Sequence, residues 1–255
     1  MIADSNKSRA MSTAIETAVA ELEGVDLAER CAELGLQAPD SDGVLRVEML
    51  GRQLEFVLPT LKTAAHPIDH LLVLHYLLGG RLCRGLPSRP MTHLSANETP
   101  PSAPAQGASS ALQASTQPTF TTSGKWESFR QFPGGQFYWK PFCSRTSDKL
   151  TAEIGNDLDL LTQRLGRYRW SREDVGDFGA RINVFGPVYL LLVYNCGDDE
   201  FPCEADILFD ANLKRIYCAE DAVALAGRLC LGLCNQKCRP CSSCNLCDTK
   251  AEVIE

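Results

Sequence analysis

The sequence predicts an α+β fold: a mostly antiparallel sheet with flanking helices, followed by a small C-terminal cysteine-rich metal-binding module. Three observations point there. Stretches that read as strands are grouped, at 43–59 and again at 181–210, instead of alternating regularly with helices as a parallel sheet requires. The helical stretches are unevenly spaced around them. Six cysteines then fall within eighteen residues near the end: Cys230, Cys234, Cys238, Cys241, Cys244 and Cys247.

Each element has a local reason. Residues 8–35 carry Ala- and Glu-rich text at helical spacing, from Met11 to Leu22 and from Val25 to Leu36. GVLRVEMLGRQLEFVLP (43–59) alternates like two strands joined at Gly51. HPIDHLLVLHYLLGG (66–80) reads as a buried helix, with Pro67 in its first turn and Gly79-Gly80 as its stop. Residues 147–165 read as one amphipathic helix through Leu150, Ile154, Leu158, Leu161 and Leu165. Strands follow at 181–186, 188–196 and 203–210, interrupted at Gly186-Pro187 and by the turn GDDEFP (197–202), and the last two are close enough for a hairpin. A final helix covers 219–233.

Residues 95–123 differ. They are rich in Ala, Ser, Thr and Pro and hold almost no large apolar residue before Phe120, too little to offset their ordering entropy. The expected organisation is therefore a first part of one α+β domain at 1–94, a flexible insertion or linker at 95–123, the second part at 124–229 and a cysteine-rich tail at 230–255.

Composition bounds the function. The chain has 255 residues, 44% hydrophobic and 22% charged, which is ordinary for a globular protein able to bury a core. A net charge of -7 argues against nucleic acid and anionic membranes as partners. No run reaches the roughly 18 apolar residues of a membrane helix, and the first residues show no signal-peptide pattern. A cytoplasmic, reducing compartment is the expectation, and twelve cysteines there point to metal or redox chemistry before disulfides.

The order GRQLEFVLP, HLLVLHYLLGG, GKWESFRQFPGG, then PVYLLLVYNCGDDEFPCEADILFD and AEDAVALAG resembles a prokaryotic family, domain-of-unknown-function family 3786. The resemblance covers roughly residues 10–94 and 124–229. It implies a protein of anaerobic bacteria and archaea, some of whose relatives carry an iron–sulfur module. It implies no activity. Two departures stand out. Some forty residues separate the LHYLLGG and WESFR stretches, where the family has a short connection, which implies that Gly80 and Lys125 lie close in space. The cysteine tail lies outside the shared pattern.

The tail reads C-x3-C-x3-C-x2-C-x2-C-x2-C. Overlapping C-x2-C steps gather three thiolates around one corner of space, as in ferredoxin-type loops, with the fourth ligand from further away. Cys234, Cys238, Cys241, Cys244 and Cys247 are the candidate metal ligands. One iron–sulfur cluster, of the 4Fe-4S type, is the leading cofactor. Zinc is the alternative, since soft thiolates suit it too, although zinc knuckles stand further apart. Cys230 lies on the apolar face of the last helix and reads as a core residue.

Two other stretches are candidates. In GKWESFRQFPGGQFYWKPF (124–142), aromatics interleaved with cations are able to stack a planar ligand, which nominates Trp126, Phe129, Arg130, Gly134 and Gly135 as cofactor-binding residues. Core packing beside a Gly-Gly turn is the plainer alternative. Asp198, Asp199 and Glu200, with Asp206 and Asp210 near in sequence, read either as a hard-metal or acid–base site or as a solvated turn. His66 and His70 have the spacing of a helical metal pair, but a helix-start role fits His66 better. No nucleophile, phosphate-loop or dinucleotide motif is present, so no catalytic residue is nominated. The expected function is a cytoplasmic accessory protein of anaerobic metabolism, with a cluster-bearing tail and a body that binds a protein or small-molecule partner, a redox partner among the candidates. A zinc interaction module, and an enzyme working between the aromatic stretch and the acidic turn, are the other readings.

Overall fold

The computed structural model describes residues 2–79 and 120–234. Helices α1 (Ile2–Glu21) and α2 (Leu27–Glu33) precede a hairpin of β1 (Val44–Met49) and β2 (Arg52–Val57), and α3 (Pro67–Leu78) follows. The second stretch holds β3 (Trp126–Ser128), α4 (Trp139–Arg145), α5 (Ser147–Ile154), α6 (Leu158–Leu165), β4 (Trp170–Glu173), β5 (Phe178–Phe185), β6 (Val188–Asn195), β7 (Glu204–Asp210) and α7 (Ala219–Leu233). Five strands pair in the order β3-β7-β6-β5-β4, all antiparallel, and β1-β2 stands apart as its own hairpin. The α+β architecture with antiparallel sheets is the one the sequence predicts. No described helix is long and apolar enough to cross a membrane.

One sheet face is continuous core. Phe178, Ala180 and Ile182 on β5 lie opposite Tyr194, Leu192 and Leu190 on β6, which lie opposite Ala205, Ile207 and Phe209 on β7, and all nine are buried. Period-two alternation puts each trio on the same side. Phe142 of α4 packs on Phe209, and the Tyr194 hydroxyl reaches back to the Gly155 carbonyl after α5. The opposite face is half covered, with Arg181 stacked over Tyr189 at 4.2 Å.

A register shift between Asn183 and Phe185 joins the hairpin to this sheet. A bulge leaves one residue outside the ladder and turns the next side chain over. Here Phe185 rejoins the core face and meets Tyr76 of α3 edge-on at 5.0 Å, while the Val184 carbonyl accepts the Leu50 amide at 2.7 Å.

Several expectations need correction. The amphipathic run 147–165 is two helices: Gly155, at φ 56°, ends α5, and Asp157 caps α6 by accepting the Leu160 amide. The apolar periodicity carries across the break, which hid it. β4 went unread because its four residues, Trp170–Glu173, lie at the sheet edge with no alternating apolar pattern, and β3 because it has three residues. β5 starts at Phe178, earlier than expected. Phe120, placed in the linker, is buried against Tyr76 at 5.9 Å, so the packed body resumes there. The tail boundary at 230 falls inside α7, whose last turn buries Cys230, Leu233 and Cys234. Residues 95–119, His93, Cys238, Cys241, Cys244 and Cys247 lie outside the described residues. Among the described residues no group of three or more His, Cys, Asp or Glu is placed to hold a metal ion.

Candidate functional site

The aromatic stretch serves the core on one side and solvent on the other. Phe129 is fully buried and stacks on Phe142 at 4.4 Å, and Phe132 meets Phe209 edge-on at 5.1 Å. Arg130 lies over the Trp139 ring at 4.4 Å. Trp126 is half-buried in β3 opposite Asp210. Gly134 takes φ 79°, a conformation open to glycine, and a Cβ on Gly135 would collide with the Phe129 carbonyl. The two glycines thus have a packing role in the turn. Phe137 and Tyr138 are 83% and 59% exposed. A cleft of about 340 Å³ lies between this stretch and α7, lined by Phe129, Tyr138, Phe142, Arg145, Glu220 and Val223. Of the five nominated residues, only Phe129 lines it.

The acidic turn is a self-contained structure. Asp198 accepts the Glu200 and Phe201 amides at 2.8 and 2.7 Å, which holds its carboxyl below the usual range. Asn156 clamps the turn through the Gly197 amide and carbonyl and the Cys203 thiol. Asp210 is buried at the far end of β7 and accepts three backbone amides, from Ser123, Gly124 and Asn212. Seven residues of β7 separate the turn from Trp126, roughly 20 Å of strand. The aromatic stretch and the acidic turn therefore sit at opposite ends of one strand and do not form a common site.

Of the candidate ligands, Cys234 is described. It caps α7, is buried, and its thiol donates toward the Lys149 carbonyl at 3.6 Å. Burial, then Glu153, pushes its pKa up, with Arg164 and Lys149 pulling the other way. Cys230 is core, as its helical position implies, and burial raises its thiol far above the usual value. His66 caps α3, its Nδ1 accepting the Ile68 amide at 3.1 Å, and His70 packs on Phe56 at 5.6 Å.

The most concentrated charge lies where none of these candidates pointed. Asp69 of α3 is fully buried. Arg228 of α7 donates Nε and Nη2 to its two oxygens at 2.7 Å each, and Arg52 at the start of β2 donates Nη2 at 2.8 Å. The Nε of Arg52 is buried with no hydrogen-bond partner among the described residues. His66 stands close by, and burial followed by the Arg228 charge holds its pKa down. On the other side of α3, His75 Nδ1 lies 2.8 Å from Asp221, which also accepts the Cys218 thiol at 3.3 Å. A signal for the first cluster was present in the sequence: Asp69 is the one acid of α3 and Arg228 the one base of α7.

No curated protein and no solved structure matches the chain. A family model matches residues 113–231, which take in β3 through most of α7. It spans the second stretch of the resemblance and leaves out residues 10–94. The model that residues 113–231 match is that of the domain of unknown function DUF3786, and over that stretch the chain is similar to it.

Proposed function

We propose that this is a cytoplasmic accessory protein of anaerobic metabolism whose C-terminal cysteines hold one iron–sulfur cluster of the 4Fe-4S type, while the body engages a partner. The observation that carries the reading is the run C-x3-C-x3-C-x2-C-x2-C-x2-C continuing directly from α7. Its donors are all soft thiolates, and its overlapping C-x2-C steps suit a cluster better than a spaced zinc knuckle.

The base of the run supports this assignment. Arg164 donates to the Leu233 carbonyl at 2.8 Å, and Cys234 is folded into the body. The buried, proton-retaining Cys234 is a poorer ligand than an exposed thiol. Cys238, Cys241, Cys244 and Cys247 are then the four ligands of this reading, with Cys234 in reserve.

Protein purified without oxygen tests this by its visible spectrum and by iron, sulfide and zinc per chain. The expected result is brown protein with iron and sulfide at about four each. Absence of iron overturns it, and one zinc per colourless chain makes the tail a structural clip.

A further inference from the structure

We propose that Cys196 and Cys203 form a reversible thiol–disulfide site, which exchanges with small-molecule disulfides and locks the β6-β7 turn. The site is independent of the cysteine tail. Both residues are half-buried free thiols in the described structure.

Register is the first argument. The last pair of the β6-β7 ladder is Asn195 with Glu204, so the next pair is Cys196 with Cys203. The turn keeps that register, since the Asp198 amide donates to the Phe201 carbonyl at 2.8 Å. The Cys196 amide donates to Asp177 Oδ2 at 2.8 Å, and no backbone hydrogen bond joins Cys196 to Cys203 among the described residues. A non-hydrogen-bonded pair holds its Cα atoms about 4.5 Å apart, with both side chains on one face. A disulfide spans Cα separations of about 4.4–6.8 Å. The bond therefore needs rotation of two side chains and no shift of either strand.

The surroundings are the second. Asn156 accepts the Gly197 amide at 2.8 Å and donates to the Gly197 carbonyl at 2.9 Å, which fixes the turn from outside. The Cys203 thiol donates to Asn156 Oδ1 at 2.9 Å and accepts the Gly197 amide at 3.3 Å. Oxidation removes that S–H donor and leaves both Asn156–Gly197 bonds in place. Cys234 is a poor competitor for either thiol. It bonds the Lys149 carbonyl near the start of α5, whereas Asn156 follows the end of that helix, roughly 10 Å further along. Burial, then Asp177 and Cys203, push the Cys196 thiol up. The dithiol is then the resting form, and exchange needs an excess of disulfide.

The step balances. One thiolate of the pair attacks a disulfide R–S–S–R, forming a mixed disulfide and expelling R–S⁻. The other thiolate attacks the protein sulfur of that mixed disulfide and expels the second R–S⁻. The two thiol protons end on two R–SH, and the two electrons lost by the cysteines reduce R–S–S–R.

The test exposes the full chain, purified under reducing conditions, to excess oxidised glutathione in mildly alkaline buffer. Iodoacetamide then blocks the remaining thiols, and the chain is digested after Lys and Arg. Both cysteines fall in one peptide, Ile182–Lys214, which holds no other cysteine. The expected peptide carries no alkyl group, is lighter by two hydrogens than its unblocked reduced form, and comes from a chain that still unfolds cooperatively. Dithiothreitol should restore both alkylation sites. Two alkylated thiols, glutathione retained on either cysteine in place of the bond, or a cross-link to another peptide overturns the proposal. So does a bond that forms only once the chain has unfolded.

Discussion

Asp69 and Asp210 are both buried carboxylates, and the protein neutralises them in opposite ways. Asp210, at the edge between β7 and the segment before β3, accepts three backbone amides and has no ion-pair partner among the described residues. Asp69, at the joint of α3, α7 and β2, accepts from two guanidiniums and, among the described residues, from no backbone amide. In the first arrangement neutral dipoles converge on one anion and satisfy both of its oxygens. In the second, two guanidiniums converge on one carboxylate, and the Arg52 Nε has no hydrogen-bond partner among the described residues. A carboxylate wrapped in amides is a strut. One held between guanidiniums ties three elements, α3, α7 and β2, together.

Four substitutions sharpen this contrast. Asp69→Asn leaves two buried guanidiniums opposite a neutral amide and should cost about 3–5 kcal/mol, measured as a lower urea midpoint at unchanged slope. A small loss would mean that the cluster is more hydrated than its burial implies. Asp210→Ala strands up to three amides and should cost about 1–3 kcal/mol. Its signature is faster hydrogen exchange at Ser123, Gly124 and Asn212. Gly135→Ala drives a methyl group into the Phe129 carbonyl and should cost about 1–3 kcal/mol. If it is neutral, the Gly-Gly turn has room to spare and the ligand reading of the aromatic stretch revives.

The smallest effect belongs to Asp198, an exposed carboxylate with the same amide-accepting logic as Asp210. Its folded pKa lies below the ordinary 3.8 because it accepts the Glu200 and Phe201 amides. A depressed folded pKa means that the contribution is fully present above the ordinary carboxylate range and is lost as pH falls through the folded value. Asp198→Ala should therefore be slightly less stable than the parent at pH 6, and the two should converge as pH drops below about 4. Melting curves at several pH values show whether the gap closes.

Elements with local chemistry at both ends were legible in the sequence. Pro67 and Gly79 bracket α3, Gly51 turns the β1-β2 hairpin, and α7 covers 219–233 as its apolar face implies. What was hidden depends on partners remote in sequence or on a break inside a regular pattern. Gly155 splits a helical periodicity that continues on both sides. Asp69 and Arg228 meet across 159 residues, and nothing local to either names the other. For the site the lesson is similar. Phe129, Gly134 and Gly135 looked like a ligand cradle because aromatic and glycine residues build cradles and cores alike, and burial alone separates the two.

The contact of Phe120 with α2 and α3 has a consequence in polymer terms. Arg30 of α2 holds the Leu77 carbonyl at 2.7 Å, Glu33 of the same helix accepts the Phe120 amide at 3.4 Å, and Arg30 and Glu33 are themselves paired. The two ends of the intervening segment are thus pinned to adjacent turns of one short helix. Closing a loop in the unfolded chain costs less entropy as the loop shortens. Replacing the forty residues 80–119 with a linker of about eight would reduce that entropy by about 1.4 kcal/mol. The contacts of Arg30 with Leu77 and of Glu33 with Phe120 would be kept, so the difference would register as stability of the described body.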